Sequence, residues 1–287
     1  MTQKVLTTKA LCLIEERLST LVPPREGPHK TLYEGARYSL LGGGKRLRPH
    51  LLLSVLEDYQ VPYEKGLDVA CAIEMIHTYS LIHDDLPCMD DDDLRRAKPS
   101  LHKVLGEGMA VLVGDFLLTY AFEVLSSFPS SILSLIARAA GAEGVIGGQV
   151  VDILHEGKEI DENAFNFMIS GKTSALFRAS LECGGILAGA TPQDRERLRK
   201  GGEAFGIAFQ IQDDLLDITS DEKTLGKPIG SALKNEKASA ISLYGIEKAK
   251  KLIAEQFQRS LALLPNHCIH TLNFIRSFNK ITECSSY

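Results

Sequence analysis

The sequence predicts an all-α helical bundle, and three observations carry that prediction. Apolar residues recur at helical spacing, as Leu11, Ile14, Leu18 and Leu21 near the start and Ile246, Ala249, Ile253, Phe257, Leu261 and Leu264 near the end. The apolar–polar alternation of half-buried strands is almost absent. From Ala110 to Leu125 nearly every position is apolar, which implies a helix buried on most sides by other helices.

Taken in order, the first helical pattern gives way to a loop over Val22 to Pro28. The apolar segment Ala72 to Ile82 runs into Pro87, which disfavours the helical state of the residue before it. A loop over Ser126 to Ser131 follows the buried helix. Thr191-Pro192-Gln193-Asp194 has the form of an N-cap, a proline at the first helical position and an acid in the first turn, opening a long helix towards Asp217. A further loop is predicted over Asp221 to Asn235, which holds Gly226, Pro228 and Gly230, and Pro265-Asn266 stops the last clear helical run. No stretch has a linker's composition, so residues 1–287 are expected to form a single domain.

Composition narrows the function. With 287 residues, 44% of them apolar, the chain can bury roughly 75% of its unfolded surface without disulfides or a structural metal. Its 32 basic and 37 acidic side chains leave a net charge of −5, which argues against a nucleic-acid groove or a basic membrane-binding face. Cys12, Cys71, Cys88, Cys183, Cys268 and Cys284 lack zinc-like or C-x-x-C spacing and are read as reduced thiols of a cytoplasmic protein. The N-terminus shows no leader-like apolar stretch, and Asp115 interrupts the run from Met109 to Phe122, so no membrane anchor is expected.

Two aspartate clusters carry the chemistry. One spans Ile82-His83-Asp84-Asp85-Leu86-Pro87-Cys88-Met89-Asp90-Asp91-Asp92-Asp93-Leu94-Arg95-Arg96, the other Gln210-Ile211-Gln212-Asp213-Asp214-Leu215-Leu216-Asp217. Asp213 and Asp217 lie about 40° apart on a helix, on one face and one turn from each other. Asp84 and Asp90 would be about 240° apart on an unbroken helix and converge only if it ends between them, as Pro87 predicts. Both clusters follow apolar segments, Ala72 to Ile82 and Ala204 to Ile211, so their carboxylates sit at the inner ends of buried helices, where they would repel one another without a cation. An all-oxygen donor set without clustered His or Cys favours Mg²⁺ over zinc, and Mg²⁺ so held takes further ligands from phosphates.

Cationic residues stand near these clusters in sequence. Gly42-Gly43-Gly44-Lys45-Arg46-Leu47-Arg48-Pro49 is a flexible turn followed by Lys45 and Arg48, about 60° apart if they share a helical turn, an arrangement suited to an anion. Arg95 and Arg96 directly follow the acidic run and suit a metal-bridged diphosphate. His77, two turns before Asp84, shares its helical face.

The stretch MIHTYSLIHDDLPCMDDDDLRR, with GGGKRLRP, GGQVVD (Gly147 to Asp152), GKTS (Gly171 to Ser174), FQIQDDLLD and LGKPIG, strongly resembles the trans-prenyltransferases, the short-chain isoprenyl diphosphate synthases. The resemblance is greatest to the branch of bacterial farnesyl and plant-type geranylgeranyl diphosphate synthases and covers roughly residues 30 to 240 in motif order. It implies a helical bundle around a deep central cavity, usually in a homodimer, and a Mg²⁺-dependent 1'-4 condensation of isopentenyl diphosphate with dimethylallyl or geranyl diphosphate. By the same similarity Asp84 and Asp90, with Asp85 nearby, hold two Mg²⁺, and Asp213, supported by Asp217, holds a third. Arg95, Lys172, Lys227 and Lys237 are implied to bind the allylic diphosphate, and Lys45, Arg48, His77 and Arg96 the isopentenyl diphosphate. Thr173 and Gln210 are implied to flank the reacting carbons, and the released diphosphate to take the final proton.

In this family product length depends on the residues four and five before the first aspartate, here Ser80 and Tyr79. A bulky Tyr79 implies a shallow floor and a C15 product, with C20 as the alternative. The sequence departs from the family pattern at Ala97, Ser174, Ser231 and Lys237-Ala238-Ser239-Ala240. Two other classes compete: a non-catalytic subunit of a heteromeric synthase, which would usually lack one aspartate cluster, and a class I terpene cyclase, which would lack GGGKRLRP and DDLLD.

Overall fold

The structure, a computed structural model, describes residues 8–219 and 239–284. Among the described residues the regular elements are all helices except for one hairpin of two-residue strands. In order they form α1 (Thr8–Leu21), α2 (Lys30–Leu40), α3 (Leu47–Asp58), a one-turn 3-10 helix (Tyr63–Lys65), α4 (Leu67–Asp84), β1 (Leu94–Arg95), β2 (Lys98–Pro99), α5 (Leu101–Leu105) and α6 (Glu107–Leu125). Then come α7 (Ser130–Ala140), α8 (Val145–Leu154), α9 (Glu162–Ile169), a π-helical segment (Ser170–Ser174), α10 (Ala175–Leu187), α11 (Pro192–Thr219), α12 (Ala240–Tyr244), α13 (Ile246–Leu263) and α14 (Ile269–Cys284). The predicted loop 221–235 lies outside the described residues. The loop before α7 ends at residue 129, two residues short of expectation, because the Ile132 and Leu133 amides donate to the Pro129 carbonyl.

The chain divides into two compact units. Among the described residues, the first takes in 8–50 and 67–133. At its centre α4 packs along α6, with α1 and α2 also against it. Ile14, Leu18, Ile73, Met75, Ile76, Val113 and Leu117 are fully buried there. Arg17 of α1 donates from Nε and Nη2 to Asp68 in the first turn of α4, at 2.5 and 2.9 Å. One expectation fails in this unit. α6 buries a single stripe, Ala110, Val113, Gly114, Leu117, Ala121 and Leu125, while Val111 and Leu112 are 38% and 54% exposed. An unbroken apolar run signals burial but cannot say that every face has a neighbour. At 19 residues α6 is also apolar and long enough to cross a membrane by length and composition alone, despite Asp115.

The second unit takes in 51–66 and the described residues from 134 onward. There α11 packs against both α10 and α13. Thr191 caps α11 as predicted, its Oγ1 accepting from the Asp194 amide at 3.1 Å. Phe177, Phe205, Phe209, Phe257 and Phe278 form a cluster of edge-on and tilted rings with centroids 5.1–6.3 Å apart. Asp58 at the end of α3 caps α14, accepting from the His270 amide at 2.6 Å, the Thr271 amide at 3.1 Å and Thr271 Oγ1 at 2.6 Å.

Candidate metal and diphosphate sites

In the first unit α4 ends at Asp84, three residues before Pro87, and the chain turns back on itself. The Asp90 amide donates to the Asp84 carbonyl at 2.8 Å, and the Met89 and Asp91 amides donate to Leu86 O at 2.8 and 3.1 Å. The predicted break is therefore real, and this reversal closes the chain between Asp84 and Asp90. Asp84 and Asp85 are buried and Asp90 is half-buried. His83, one residue earlier, turns its Nε2 to the Val111 carbonyl at 3.1 Å. The donor set of Asp84, Asp85 and Asp90 is thus carboxylate oxygen alone, which fits a hard dication such as Mg²⁺.

The hairpin that follows pairs Leu94 with Pro99 and Arg95 with Lys98. Its two central residues, Arg96 and Ala97, have φ of 55° and 61°, the left-handed geometry of a two-residue hairpin turn that ordinarily selects Asn-Gly. That unfavourable turn chemistry hid the strands in the sequence. Arg95 donates to Asp85 from Nε at 2.9 Å and also from Nη2, which reaches Asp92 Oδ2 at 3.1 Å as well. Arg96 Nη1 donates to the Gly43 carbonyl, and its guanidinium covers Gly44, whose absent Cβ would stand 2.7 Å from Cζ.

Lys45 and Arg48 do not share a helical face as the spacing predicted. Gly43, Gly44 and Arg46 have φ of 97°, 129° and 47°, which keeps the chain out of the helix until Leu47. Lys45 therefore lies in the turn, exposed, and Arg48 lies buried in the first turn of α3. His77 lies on α4 amid these cations. Burial, reinforced by Arg48, Arg96, Arg95 and Arg46, pushes its ring well below the usual histidine range, so it is neutral at pH 7. One turn before Asp84, Tyr79 is buried with its ring 5.7 Å from His83, edge to face, and burial pushes its phenol up to about 12. Ser80 beside it is half-buried and donates to the His77 carbonyl at 2.9 Å.

In the second unit the GKTS motif forms the π-helical segment, an irregularity that recurs at functional sites. It lies so close to α8 that a Cβ on Gly148 would collide with the Lys172 backbone. That contact brings Lys172 Nζ to 2.6 Å from Asp152 Oδ2, one turn further along α8. Thr173, buried, donates to Gln210 Oε1 of α11 at 2.6 Å, and Gln210 Nε2 donates to Asp214 Oδ1 at 2.8 Å. Asp214 also accepts from the Ala240 amide at 3.0 Å, yet burial pushes its carboxyl up to about 6. Asp213 is exposed and Asp217 half-buried, one turn apart on α11 as predicted. Ser174 is satisfied where it stands, fully buried and donating to the Glu203 carbonyl at 2.7 Å. Lys227, Ser231 and Lys237 lie outside the described residues.

Asp152, Asp214 and Arg46 received no role from the sequence, although each sits inside a motif quoted above. The signal was present, but only the packing shows which neighbour each one holds.

The polyprenyl synthetase family profile matches residues 29–268. A farnesyl diphosphate synthase of Geobacillus stearothermophilus is 45% identical over 260 residues, covering 86% of this chain and 87% of its own. The large subunit 1 of a heterodimeric geranylgeranyl pyrophosphate synthase of Arabidopsis thaliana is also 45% identical over 260 residues, 86% of this chain and 69% of its own. Among solved structures, a geranyltransferase of Helicobacter pylori complexed with magnesium and isoprenyl diphosphate superposes with a TM-score of 0.84 at 33% identity, covering 99% of both chains. With its motifs in order and the profile running through both units, the chain belongs to the polyprenyl synthetase family.

Proposed function

We propose that this prenyltransferase joins isopentenyl diphosphate head to tail to dimethylallyl and then geranyl diphosphate, releasing farnesyl diphosphate. The observation that carries the reading lies within the first unit, where buried Asp85 pairs with Arg95 next to buried Asp84 and where the charges of Arg48, Arg95 and Arg96 act on His77. That is a carboxylate metal site next to a cationic anion site. Asp84, Asp85 and Asp90 would hold two Mg²⁺ and Asp213 with Asp217 a third. Bound Mg²⁺ would draw electrons from the allylic diphosphate and make it a leaving group.

The chain's own residues do the rest. Arg95 and Lys172, with Lys227 and Lys237, grip the allylic diphosphate and stabilise the charge that builds on it as its C–O bond breaks. Lys45, Arg48 and Arg96 hold the isopentenyl diphosphate, and neutral His77 hydrogen-bonds to it. Holding both substrates places the isopentenyl double bond against the allylic cation. Thr173 and Gln210 present oxygens that favour a positive carbon, and the departing diphosphate takes the proton. Tyr79 and Ser80 form the floor below the metal site, which limits the product to C15.

Both units act as parts of one polyprenyl synthetase domain, a reading supported by the profile that spans them. The exposed Val111 and Leu112 on α6 support a homodimer that covers this face. Among the described residues Cys12, Cys71, Cys88, Cys183 and Cys268 are free thiols, in keeping with a cytoplasmic enzyme.

The test is to incubate the purified protein with isopentenyl diphosphate, Mg²⁺ and each allylic diphosphate in turn, with and without EDTA, and to identify the products. Farnesyl diphosphate formed only with Mg²⁺ supports the proposal. A geranylgeranyl product overturns the assigned length, and no product from any primer overturns the activity in favour of a subunit role.

A further inference from the structure

The turn that bears Lys45 and leads into Arg48 is held from beneath by a residue that no ligand can reach. Arg46 is 1% exposed. Its guanidinium spreads over acceptors from three helices. Nε donates to Glu15 Oε1 of α1 at 2.7 Å, Nη1 to Glu74 Oε1 of α4 at 2.9 Å, and Nη2 to Leu40 O at the end of α2 at 2.6 Å, with Glu15 Oε2 also in reach at 3.3 Å. Glu74 is itself 2% exposed, so the Arg46–Glu74 pair is closed to water.

The backbone of Arg46 is equally constrained. Its φ of 47° is one that a residue other than glycine adopts only where the surroundings enforce it. Its carbonyl accepts from the His50 amide at 3.1 Å, so Arg46 is also the residue from which α3 and Arg48 set out. On the other side of the same turn, Arg96 donates to Gly43 O and lies over Gly44. The three cations Lys45, Arg48 and Arg96 therefore all take their places from a turn whose position is set by one buried guanidinium.

We propose that Arg46 is the positioning residue of the isopentenyl diphosphate site, its ion pairs with Glu15 and Glu74 holding Lys45, Arg48 and Arg96 at fixed separation before any ligand arrives. This rests on the assignment of those three cations to isopentenyl diphosphate. Lysine cannot substitute, because one ammonium cannot span acceptors that lie in three directions. Arg95 and Lys172 make none of these contacts, being held instead by Asp85 and Asp152.

The test compares Arg46→Lys with Lys45→Ala and with Glu15→Gln, a half-exposed partner whose loss leaves the Arg46–Glu74 pair in place. Initial rates are measured against each diphosphate with the other saturating, beside thermal melts of each variant. Arg46→Lys should raise the KM for isopentenyl diphosphate about tenfold or more, as small misplacements of positioning groups do, and leave the allylic KM within about twofold. Unchanged KM values, or an equal rise in both, overturn the proposal. If Arg46→Lys does not fold, Glu15→Gln must show the same selective rise in smaller measure, and its absence overturns the proposal too. An isopentenyl KM unmoved by Lys45→Ala refutes the underlying site assignment. A rise in Lys45→Ala alone refutes only the role of Arg46.

Discussion

Arg95 and Asp85 are hydrogen-bonded to each other, Arg95 Nε to Asp85 Oδ1 at 2.9 Å with Nη2 on the same oxygen, although the sequence assigned one to an anion and the other to a metal. On the proposed assignment, a cation approaching Asp85 would compete with the guanidinium and free its donors for a diphosphate, which would link metal and allylic binding through one carboxylate. Asp85→Asn weakens both partners, and the Mg²⁺ concentration for half-maximal rate should rise about 10-fold or more. A Mg²⁺ titration at saturating substrates measures this, and an unchanged midpoint would exclude the link.

Lys172 is oriented by Asp152 at 2.6 Å. Lys172→Met should lower kcat/KM for the allylic substrate by about 10²–10³-fold, the usual loss when a group facing transition-state charge is removed. Asp152→Asn keeps the cation but loosens it, and should give a smaller loss confined to the allylic substrate. Steady-state kinetics with each substrate varied separates the two.

His77 contributes a pH dependence of stability whose sign follows from its burial. Its native pKa is lowered well below 6.5 by burial and then by Arg48, Arg96, Arg95 and Arg46. The unfolded chain takes up a proton near pH 6.5 while the native ring does not, so its contribution is whole above that pH. It declines as the pH falls below 6.5 towards the lowered native value, by up to about 1.4 kcal/mol per pH unit. Urea unfolding at pH 7.5 and 5.5 reads this as a difference between proteins: the wild type should lose more, or gain less, than His77→Gln, because the raised Asp214 carboxyl acts in the opposite direction in both alike.

Tyr79 is buried, and its hydroxyl has no hydrogen-bond partner among the described residues, so its bulk matters and its polarity does not. Tyr79→Phe should retain both stability and product. Tyr79→Ala should lengthen the product and cost about 3 kcal/mol for the cavity it leaves. Product chromatography and denaturant melts read both effects, and an unchanged product from Tyr79→Ala would place the floor elsewhere.

Ala97 holds φ of 61°, a left-handed conformation that glycine adopts without strain. The left-handed conformation costs a residue with a Cβ about 1–2 kcal/mol, partly offset in glycine by the entropy of its unfolded chain. Ala97→Gly should therefore stabilise the protein by about 0.5–1 kcal/mol with activity retained. Thermal unfolding would show a raised midpoint, and a lowered one would contradict the turn geometry.

What the sequence made legible was local in origin. Asp213 and Asp217 lie one turn apart because helical period depends only on near neighbours, and Thr191 caps α11 for the same reason. α4 ends within the break that Pro87 predicts, and the Asp90 amide bonded to the Asp84 carbonyl fixes the form of the reversal, a contact that propensity does not carry. Lys45 was read onto a helix because the glycines before it adopt left-handed conformations that a spacing argument cannot see. The Lys172–Asp152 pair was invisible because it depends on the packing of the π-helical segment against α8. The outer face of α6 was misread because apolarity records a preference for burial without naming the neighbour.

The Asp90-to-Asp84 backbone bond makes the segment between them a closed ring of fixed circumference. Side chains within that ring, such as exposed Cys88, are open to exchange, whereas its residue count is not. One residue added or removed would move Asp90 off the Asp84 carbonyl, altering the gap between the two carboxylates without touching either. The separation of the two aspartates works as a ruler written in chain length, and an insertion at Cys88 should abolish metal-dependent turnover where substitution there does not.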